Sequence, residues 1–445
     1  MYMARPIVAI VGRPNVGKSQ LFNRITGKRI SIVEDTPGVT RDRIVSEAEW
    51  LGKPFLLIDT GGIEPDSEDK LTQLMRRQAE AAIETANVII FLTDVRTGVL
   101  PADEEVAKIL MHSRKPVVLA CNKCDTPGEP PLNFYDFYSL GLGDPIAISA
   151  IQGMGTGDLL EAVAKGFPAD DMTEEDPDVI KVAVIGKPNA GKSSLVNYIL
   201  GEERMIVSDI PGTTRDAIDS YVERNGKKYL FIDTAGIRRK SRVNEKVEKY
   251  SVLRSYSAVE RADVCLILID GTEGATEQDT KIAGYAHNEG KASIFAVNKW
   301  DIVEKDDKTM DNMKKEILEE FPFMMYAPSL FISAKTGQRV DSIFDMIDTV
   351  NENRNRRITT GMLNDLIADA TARVQPPTDK GRRLKILYGV QSDVNPPQFV
   401  IFVNDTRLMH FSYERYIENR IRAAFDYRGT PIKFYIRERN DKRDN

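Results

Sequence analysis

One stretch limits what this chain can fold into more than any other. Residues Gly12-Arg13-Pro14-Asn15-Val16-Gly17-Lys18-Ser19 follow the apolar run Ile7 to Val11 and precede the helix-like run Gln20-Leu21-Phe22-Asn23-Arg24. A strand, a glycine-bearing loop and a helix in that order form a phosphate cradle. The glycines let successive backbone N–H groups turn inward around a β-phosphate, the Lys18 amine reaches the β- and γ-phosphates, and the Ser19 hydroxyl can ligate Mg²⁺. The pattern occurs a second time as Gly186-Lys187-Pro188-Asn189-Ala190-Gly191-Lys192-Ser193, between the apolar Val182 to Ile185 and the helical Ser194-Leu195-Val196-Asn197. Two copies in the same context remove chance as an explanation.

A shift of 174 residues lays Gly27 to Asp42 over Gly201 to Asp216 with nine of sixteen positions identical, including Pro37-Gly38 and Thr40-Arg41-Asp42 over Pro211-Gly212 and Thr214-Arg215-Asp216. At the same shift Asp59-Thr60-Gly61-Gly62 meets Asp233-Thr234-Ala235-Gly236, each closing an apolar strand. The unit is too long for a solenoid and reads as a duplicated domain. Within each copy, short apolar strands alternate with helical stretches, which predicts an α/β fold. Each copy should have a mostly parallel sheet, helices on both faces and its ligand at the carboxyl ends of the strands. The boundaries read from the pattern are a first domain over 5–168, an acidic linker over 169–178 with six acids in ten residues, a second domain over 179–354 and a different domain over 355–440. That last part, with the order α-β-β-α-β, predicts a small two-layer α+β domain.

Charge is unevenly placed. The chain carries a formal −6, yet residues 354–445 hold 18 Lys and Arg against 11 Asp and Glu, or +7, leaving −13 for the rest. Three cysteines without framework spacing argue against structural disulfides. The longest apolar runs, such as Val88-Ile89-Ile90-Phe91-Leu92, are too short to span a bilayer, and Met1 to Arg5 lead straight into the first strand; the expectation is a cytoplasmic protein.

The base is read from Asn122-Lys123-Cys124-Asp125 and Asn298-Lys299-Trp300-Asp301, each directly after a strand. An Asp carboxylate accepts two hydrogen bonds from the N1–H and N2 amino group of guanine, whereas adenine offers an acceptor at N1 and no amino group there. Leaving such a carboxylate unpaired makes the site reject the wrong base. Ser149-Ala150 and Ser333-Ala334-Lys335 also follow strands, and the alanine N–H is placed to meet guanine O6. The substrate class is therefore GTP.

These spaced elements resemble those of translation-factor-like GTPases. Two tandem GTPase domains followed by a small α-β-β-α-β domain resemble the Der (EngA) family of bacterial double GTPases. The resemblance covers essentially the whole chain. It implies GTP hydrolysis, a KH-like C-terminal domain, a role in maturing the large (50S) ribosomal subunit with ribosomal RNA as partner, no DNA partner, no membrane span and a monomer. It also implies that Ser19 and Ser193 hold Mg²⁺ with Thr40 and Thr214, while Asp59 and Asp233 bind it through water. The γ-phosphate would be sensed at Gly62 and Gly236, beside Ile63 and Ile237, so that Lys18, Thr40 and Gly62 with Lys192, Thr214 and Gly236 form the catalytic set. Loss of the phosphate then releases both loops. Ile63 and Ile237 cannot orient water, so turnover is expected to be slow unless an added charge stabilises the transition state. The related group uses K⁺ near a phosphate-loop Asn, which Asn15 and Asn189 match. The alternative is that both are simply turn residues.

Cys121 and Cys124 have thioredoxin or zinc spacing, but they interleave with the guanine motif, and the second copy puts Val297 and Trp300 there; an apolar role is the stronger reading. Arg238-Arg239-Lys240-Ser241-Arg242 stands where the first copy has the acidic Glu64 to Asp69, either as a solvated face or as an RNA contact that moves with nucleotide state. The C-terminal domain lacks the Gly-x-x-Gly loop by which KH domains clamp RNA, leaving Arg382, Arg383 and Lys385 for phosphates. Three other readings remain. A small-molecule kinase would have no use for two guanine motifs, and a membrane-remodelling GTPase would need an anchor. An RNA scaffold with vestigial GTPase units sits badly with intact Lys18, Lys192, Asp59 and Asp233. Within the GTPase reading, the alternative is a regulator of another RNA–protein complex.

Overall fold

The computed structural model describes residues 5–27, 45–60, 71–168, 178–201, 219–232, 248–379 and 381–438. The chain forms two compact units, residues 1–175 and 176–445.

The first unit is built on a six-stranded sheet. Its strands are β1 (Ile7–Val11), β2 (Val45–Trp50), β3 (Lys53–Asp59), β4 (Val88–Asp94), β5 (Val117–Asn122) and β6 (Ile146–Ala147), in the order β2-β3-β1-β4-β5-β6. All neighbours run parallel except the β2–β3 hairpin. The central strands are apolar along their whole length: every residue of β1 and β4 is buried, as expected where helices cover both faces of a parallel sheet. The edge strand β2 is only half buried. One core joins Val8, Ile10, Leu57, Ile90 and Leu92 to Leu21 and Phe22 of the helix Lys18–Thr26 and to Leu159 and Val163 of the helix Thr156–Lys165.

The second unit repeats this sheet with β7 (Val179–Ile185), β8 (Ser220–Arg224), β9 (Lys227–Ile232), β10 (Val264–Asp270), β11 (Ala292–Asn298) and β12 (Ser329–Phe331), ordered β12-β11-β10-β7-β9-β8. The order matches the first strand for strand, so the duplication inferred from the sequence is a duplication of topology. Two apolar clusters fill the two faces. The helix Glu277–Asn288 starts at Thr276, where the backbone N–H and hydroxyl of Thr276 both donate to Asp279 Oδ2 (3.1 and 2.7 Å).

The same unit ends in a smaller layer. After the helix Thr360–Arg373 come two short paired strands, β13 (Thr378–Asp379) and β14 (Arg382–Arg383), then β15 (Ile386–Asp393), β16 (Gln398–Val403), the helix Phe411–Phe425 and β17 (Lys433–Glu438). The order β15-β16-β17 pairs the first two antiparallel and the last two parallel. This gives the expected α-β-β-α-β order, with the added hairpin filling the Pro-rich break. Both helices pack on one sheet face through Leu363, Ile367, Ala370, Ile417 and Ile421 against Phe399, Ile401 and Val403.

This layer is seamed to the sheet before it. Ser293 N–H donates to Gly429 O and Gly429 N–H to Tyr326 O, both at 2.7 Å. Arg422 lies 5.1 Å over the Tyr326 ring, and Arg354 Nε donates to Asn395 Oδ1 at 2.7 Å. Gly429 has φ +80°, and a Cβ there would overlap Val350, so both conformation and space exclude a side chain. Among the described residues no helix is long and apolar enough to cross a membrane.

Candidate active sites

The phosphate loops lie where the order of each sheet reverses, between β1 and its helix and between β7 and its helix, at the carboxyl ends of the strands. Asn15 and Asn189 sit at φ 66° and 63°, and Gly17 and Gly191 at 99° and 98°. The loops are therefore held in the left-handed region at the same two positions. A Cβ at Gly17 would overlap Asn122 Nδ2, and one at Gly191 would overlap Asn298 Nδ2. These glycines are needed because the asparagine of the guanine motif packs directly on the loop.

Each loop lysine folds back on its own loop. Lys18 Nζ donates to Gly12 O (2.6 Å) and Arg13 O (2.7 Å), and Lys192 Nζ to Gly186 O (2.7 Å) and Lys187 O (2.6 Å). Burial pushes the Lys18 amine down to about 8, against the opposing pull of the Asp59 carboxylate. Two carbonyl dipoles are thus a stand-in for the anionic oxygens that an ammonium at this depth calls for.

The guanine motifs act as braces. Asn122 Nδ2 donates to Val16 O at 2.7 Å while its Oδ1 accepts from Ala150 N–H at 2.9 Å. Asn298 does the same with Ala190 O (2.8 Å) and Ala334 N–H (2.9 Å). One carboxamide in each unit therefore ties the phosphate loop to the serine–alanine loop, and the alanine N–H expected at guanine O6 is turned to the asparagine in this structure. Lys123 and Lys299 adopt φ 68° and 62°, an uncommon conformation for lysine. Lys123 Nζ reaches Asp94 Oδ2 (2.6 Å) and Asn15 O (2.9 Å), and Lys299 Nζ reaches Asp270 Oδ2 (2.5 Å). Asp125 accepts from the Ser149 hydroxyl at 2.6 Å and from Arg96 at 2.7 Å. In the second copy the Ser333 hydroxyl holds Asp301 below the ordinary carboxylate range.

Ser19 Oγ donates to Asp59 Oδ2 at 2.7 Å, and Thr60 Oγ1 donates to Ile10 O at 2.5 Å. A hydroxyl and a carboxylate meeting beside the phosphate loop are hard oxygen donors of the kind Mg²⁺ takes. Thr40, Gly61, Gly62 and Ile63 lie outside the described residues. So do Thr214, Asp233, Thr234, Ala235, Gly236 and Ile237, along with Arg238 to Arg242.

Several contacts that shape these sites have no motif. Buried Asp94 and Asp270 end β4 and β10 and anchor the lysines of the guanine motifs. Burial works against the charge of Asp270, but hydrogen bonds from Lys299 and Thr272 outweigh it and hold the carboxylate low. The signal was available: both anchors stand 29 residues before their lysine. Arg13 Nε donates to Asp103 Oδ1 at 2.9 Å, with both side chains buried, fastening the loop to the helix Pro101–His112. In the second copy, Lys187 N–H donates to Asp279 Oδ1 (3.1 Å) and its Nζ to Glu273 (2.8 Å). Cys121 and Cys124 are buried, and burial pushes the Cys121 thiol up to about 12. A thiol so placed is an apolar filler. Among the described residues no group of His, Cys, Asp and Glu is arranged to hold a metal ion.

Comparison with known proteins places these features in a lineage. The family model described as "50S ribosome-binding GTPase" matches residues 7–123 and again 181–299. Residues 357–437 match the "KH-domain-like of EngA bacterial GTPase enzymes, C-terminal". The chain is 63% identical to the GTPase Der of Acetivibrio thermocellus over 98% of its own length and 99% of that protein's. It is 62% identical to that of Ruminiclostridium cellulolyticum over the same shares. Against that of Alkaliphilus metalliredigens it is 59% identical over 99% of this chain and all of that one.

Proposed function

The chain belongs to the GTPase Der family and hydrolyses GTP, and from that premise we propose that it is a nucleotide-controlled switch in assembly of the large ribosomal subunit. The observation that carries this reading is the double match, in both GTPase units, to a family described as 50S ribosome-binding. The +7 of residues 354–445 supports it, since a partner of dense phosphate charge favours a basic contact region on an otherwise acidic body. We assign the domains to 5–168, 179–354 and 355–440 with a linker over 169–178, and place the protein in the cytoplasm as a monomer acting on RNA and not on DNA.

In this reading Lys18 and Lys192 leave their loop carbonyls for the β- and γ-phosphates, and Asp125 and Asp301 take the N1–H and N2 amino group of guanine. Ser19 and Thr40, with Ser193 and Thr214 in the second copy, would hold Mg²⁺, with Asp59 and Asp233 binding it through water, and the ion would supply positive charge where negative charge develops between the β- and γ-phosphates. The close Ser19–Asp59 contact supports that donor set. With Ile63 and Ile237 unable to orient water, the transition-state charge needs another cation, and we assign K⁺ beside Asn15 and Asn189. Hydrolysis is expected to run faster in potassium than in sodium chloride at equal ionic strength and saturating Mg²⁺; equal rates would remove K⁺ and point to a protein activator.

The test of the main proposal is cosedimentation with separated large and small ribosomal subunits, in a non-hydrolysable GTP analogue and in GDP. Pelleting with the large subunit in a nucleotide-dependent way is expected. Pelleting with neither subunit in either state would overturn the ribosomal reading and favour a regulator of another RNA–protein complex.

A further inference from the structure

We propose that the open face of the sheet β15-β16-β17 is a stacking platform for unpaired bases of single-stranded RNA. The proposal deepens the ribosomal reading and rests on it.

Strand alternation separates the two faces of this sheet. On β16, Phe399, Ile401 and Val403 are buried under the helices, which turns Gln398, Val400 and Phe402 to the other side. The register extends that side across the sheet. Phe402 is opposite Tyr388 on β15 and Arg437 on β17, and Val400 is opposite Val390 and Tyr435. Two cross-strand rungs result, Tyr388–Phe402–Arg437 and Val390–Val400–Tyr435, with Ser392 and Gln398 at their end. They line a shallow recess of about 490 Å³. The Tyr388 and Phe402 rings stack with centroids 4.4 Å apart and planes 16° from parallel. Tyr435 is 43% exposed, and Arg437 is exposed.

The chemistry selects the occupant. Flat rings and a guanidinium on one open sheet face suit the π-faces of nucleobases, which stack on aromatic and Arg planes without regard to sequence. Residues 354–445 carry +7, and exposed Arg382, Arg383 and Lys385 lie in the segment that leads into β15, where a backbone of phosphates leaving the stack would pass. The neighbouring carboxylates are engaged: Asp405 pairs with Arg407 at 2.9 Å and with the still exposed Arg382 at 3.6 Å, and Glu438 accepts from the Thr406 hydroxyl at 3.0 Å. The basic margin matches the dense negative charge of a phosphate backbone. The domain also lacks a Gly-x-x-Gly clamp, so bases would be met on the sheet and not between helices.

The experiment is fluorescence anisotropy of the full-length protein with labelled single-stranded oligouridine and oligoadenine, and with the same strands annealed as a duplex. Binding of both single strands and not of the duplex is expected. Tyr435→Ala and Phe402→Leu should each weaken it about tenfold while leaving the slope of log affinity against log salt unchanged. Arg437→Ala should lower that slope by about one. Tyr435 and Arg437 are exposed, and far-ultraviolet circular dichroism matching the parent's is the check that their variants fold. Wild-type affinity in all three variants, or no affinity of the parent chain for single strands, overturns the proposal. So does loss of ribosome cosedimentation in the variants with oligonucleotide binding intact, which assigns the face to a ribosomal protein. A dimer in sedimentation velocity that Tyr435→Ala dissolves assigns it to a second copy. Parent protein that pellets with large subunits while the oligonucleotide arm fails sinks this proposal alone. Parent protein that pellets with nothing sinks the ribosomal reading.

Discussion

Asn122 and Asn298 each give and accept a hydrogen bond through one planar group, a task that Asp, lacking the donor, and Ala, lacking both, cannot perform. In the proposed reading the neighbouring Asp125 and Asp301 set the base. Replacing either by Asn swaps acceptors for a donor, so Asp125→Asn and Asp301→Asn should shift that unit from GTP toward xanthosine triphosphate, whose C2 carbonyl needs a donor; an unchanged ratio in competition binding would remove the base assignment. Lys18 supplies a pH dependence. With its folded value near 8 against an ordinary 10.5, the empty loop has lost its proton above about pH 8, and arriving phosphates must restore it. GTP binding to the first unit should therefore take up a proton near pH 9 and weaken as pH rises from 8 to 10, read as a buffer-dependent enthalpy in calorimetry. These motif residues were legible in the sequence because their spacing is local. The Arg13–Asp103 pair was not, because its partners are 90 positions apart and each alone is an ordinary surface residue type. Arg13→Met should cost roughly 3 kcal/mol in chemical denaturation by leaving the Asp103 carboxylate buried without its cation.

At the level of elements, the fully buried strands announced themselves as unbroken apolar runs, whereas β2 and β8 did not, since an antiparallel edge strand with one wet face reads as mixed polarity. The repeat could not foretell the seam to the C-terminal layer either, because backbone hydrogen bonds such as Ser293 to Gly429 leave no side-chain signature. Gly429→Val forces a side chain into Val350 at a left-handed position and should lower the second unit's melting temperature by several degrees, resolving a separate transition for the C-terminal domain in calorimetry. His287 lies in the same seam. Burial, then Arg422 and Lys433, push its imidazole down to about 4 from 6.5, so the unfolded chain binds the proton first. The second unit should accordingly lose stability as pH falls from about 6.5 toward 4, and His287→Phe should flatten that slope.

For the whole molecule, function follows from charge placement. A body of −13 repels RNA unless contact is confined to basic regions, so Arg382→Ala with Arg383→Ala should weaken large-subunit cosedimentation in both nucleotide states. Arg239→Ala with Lys240→Ala, next to the second switch, should weaken it mainly with the GTP analogue. If neither pair has an effect, the electrostatic account of the partner is wrong. The seam has one more consequence. Two copies of one catalytic design, each filled with either nucleotide, can write four words, but a reader that felt both alike would confuse the mixed pair. The second copy exchanges backbone hydrogen bonds with the basic layer, so a change in its sheet is passed to that layer directly. A reader wired in this way to one copy would tell GTP–GDP from GDP–GTP, and the order in which the two are hydrolysed would become information.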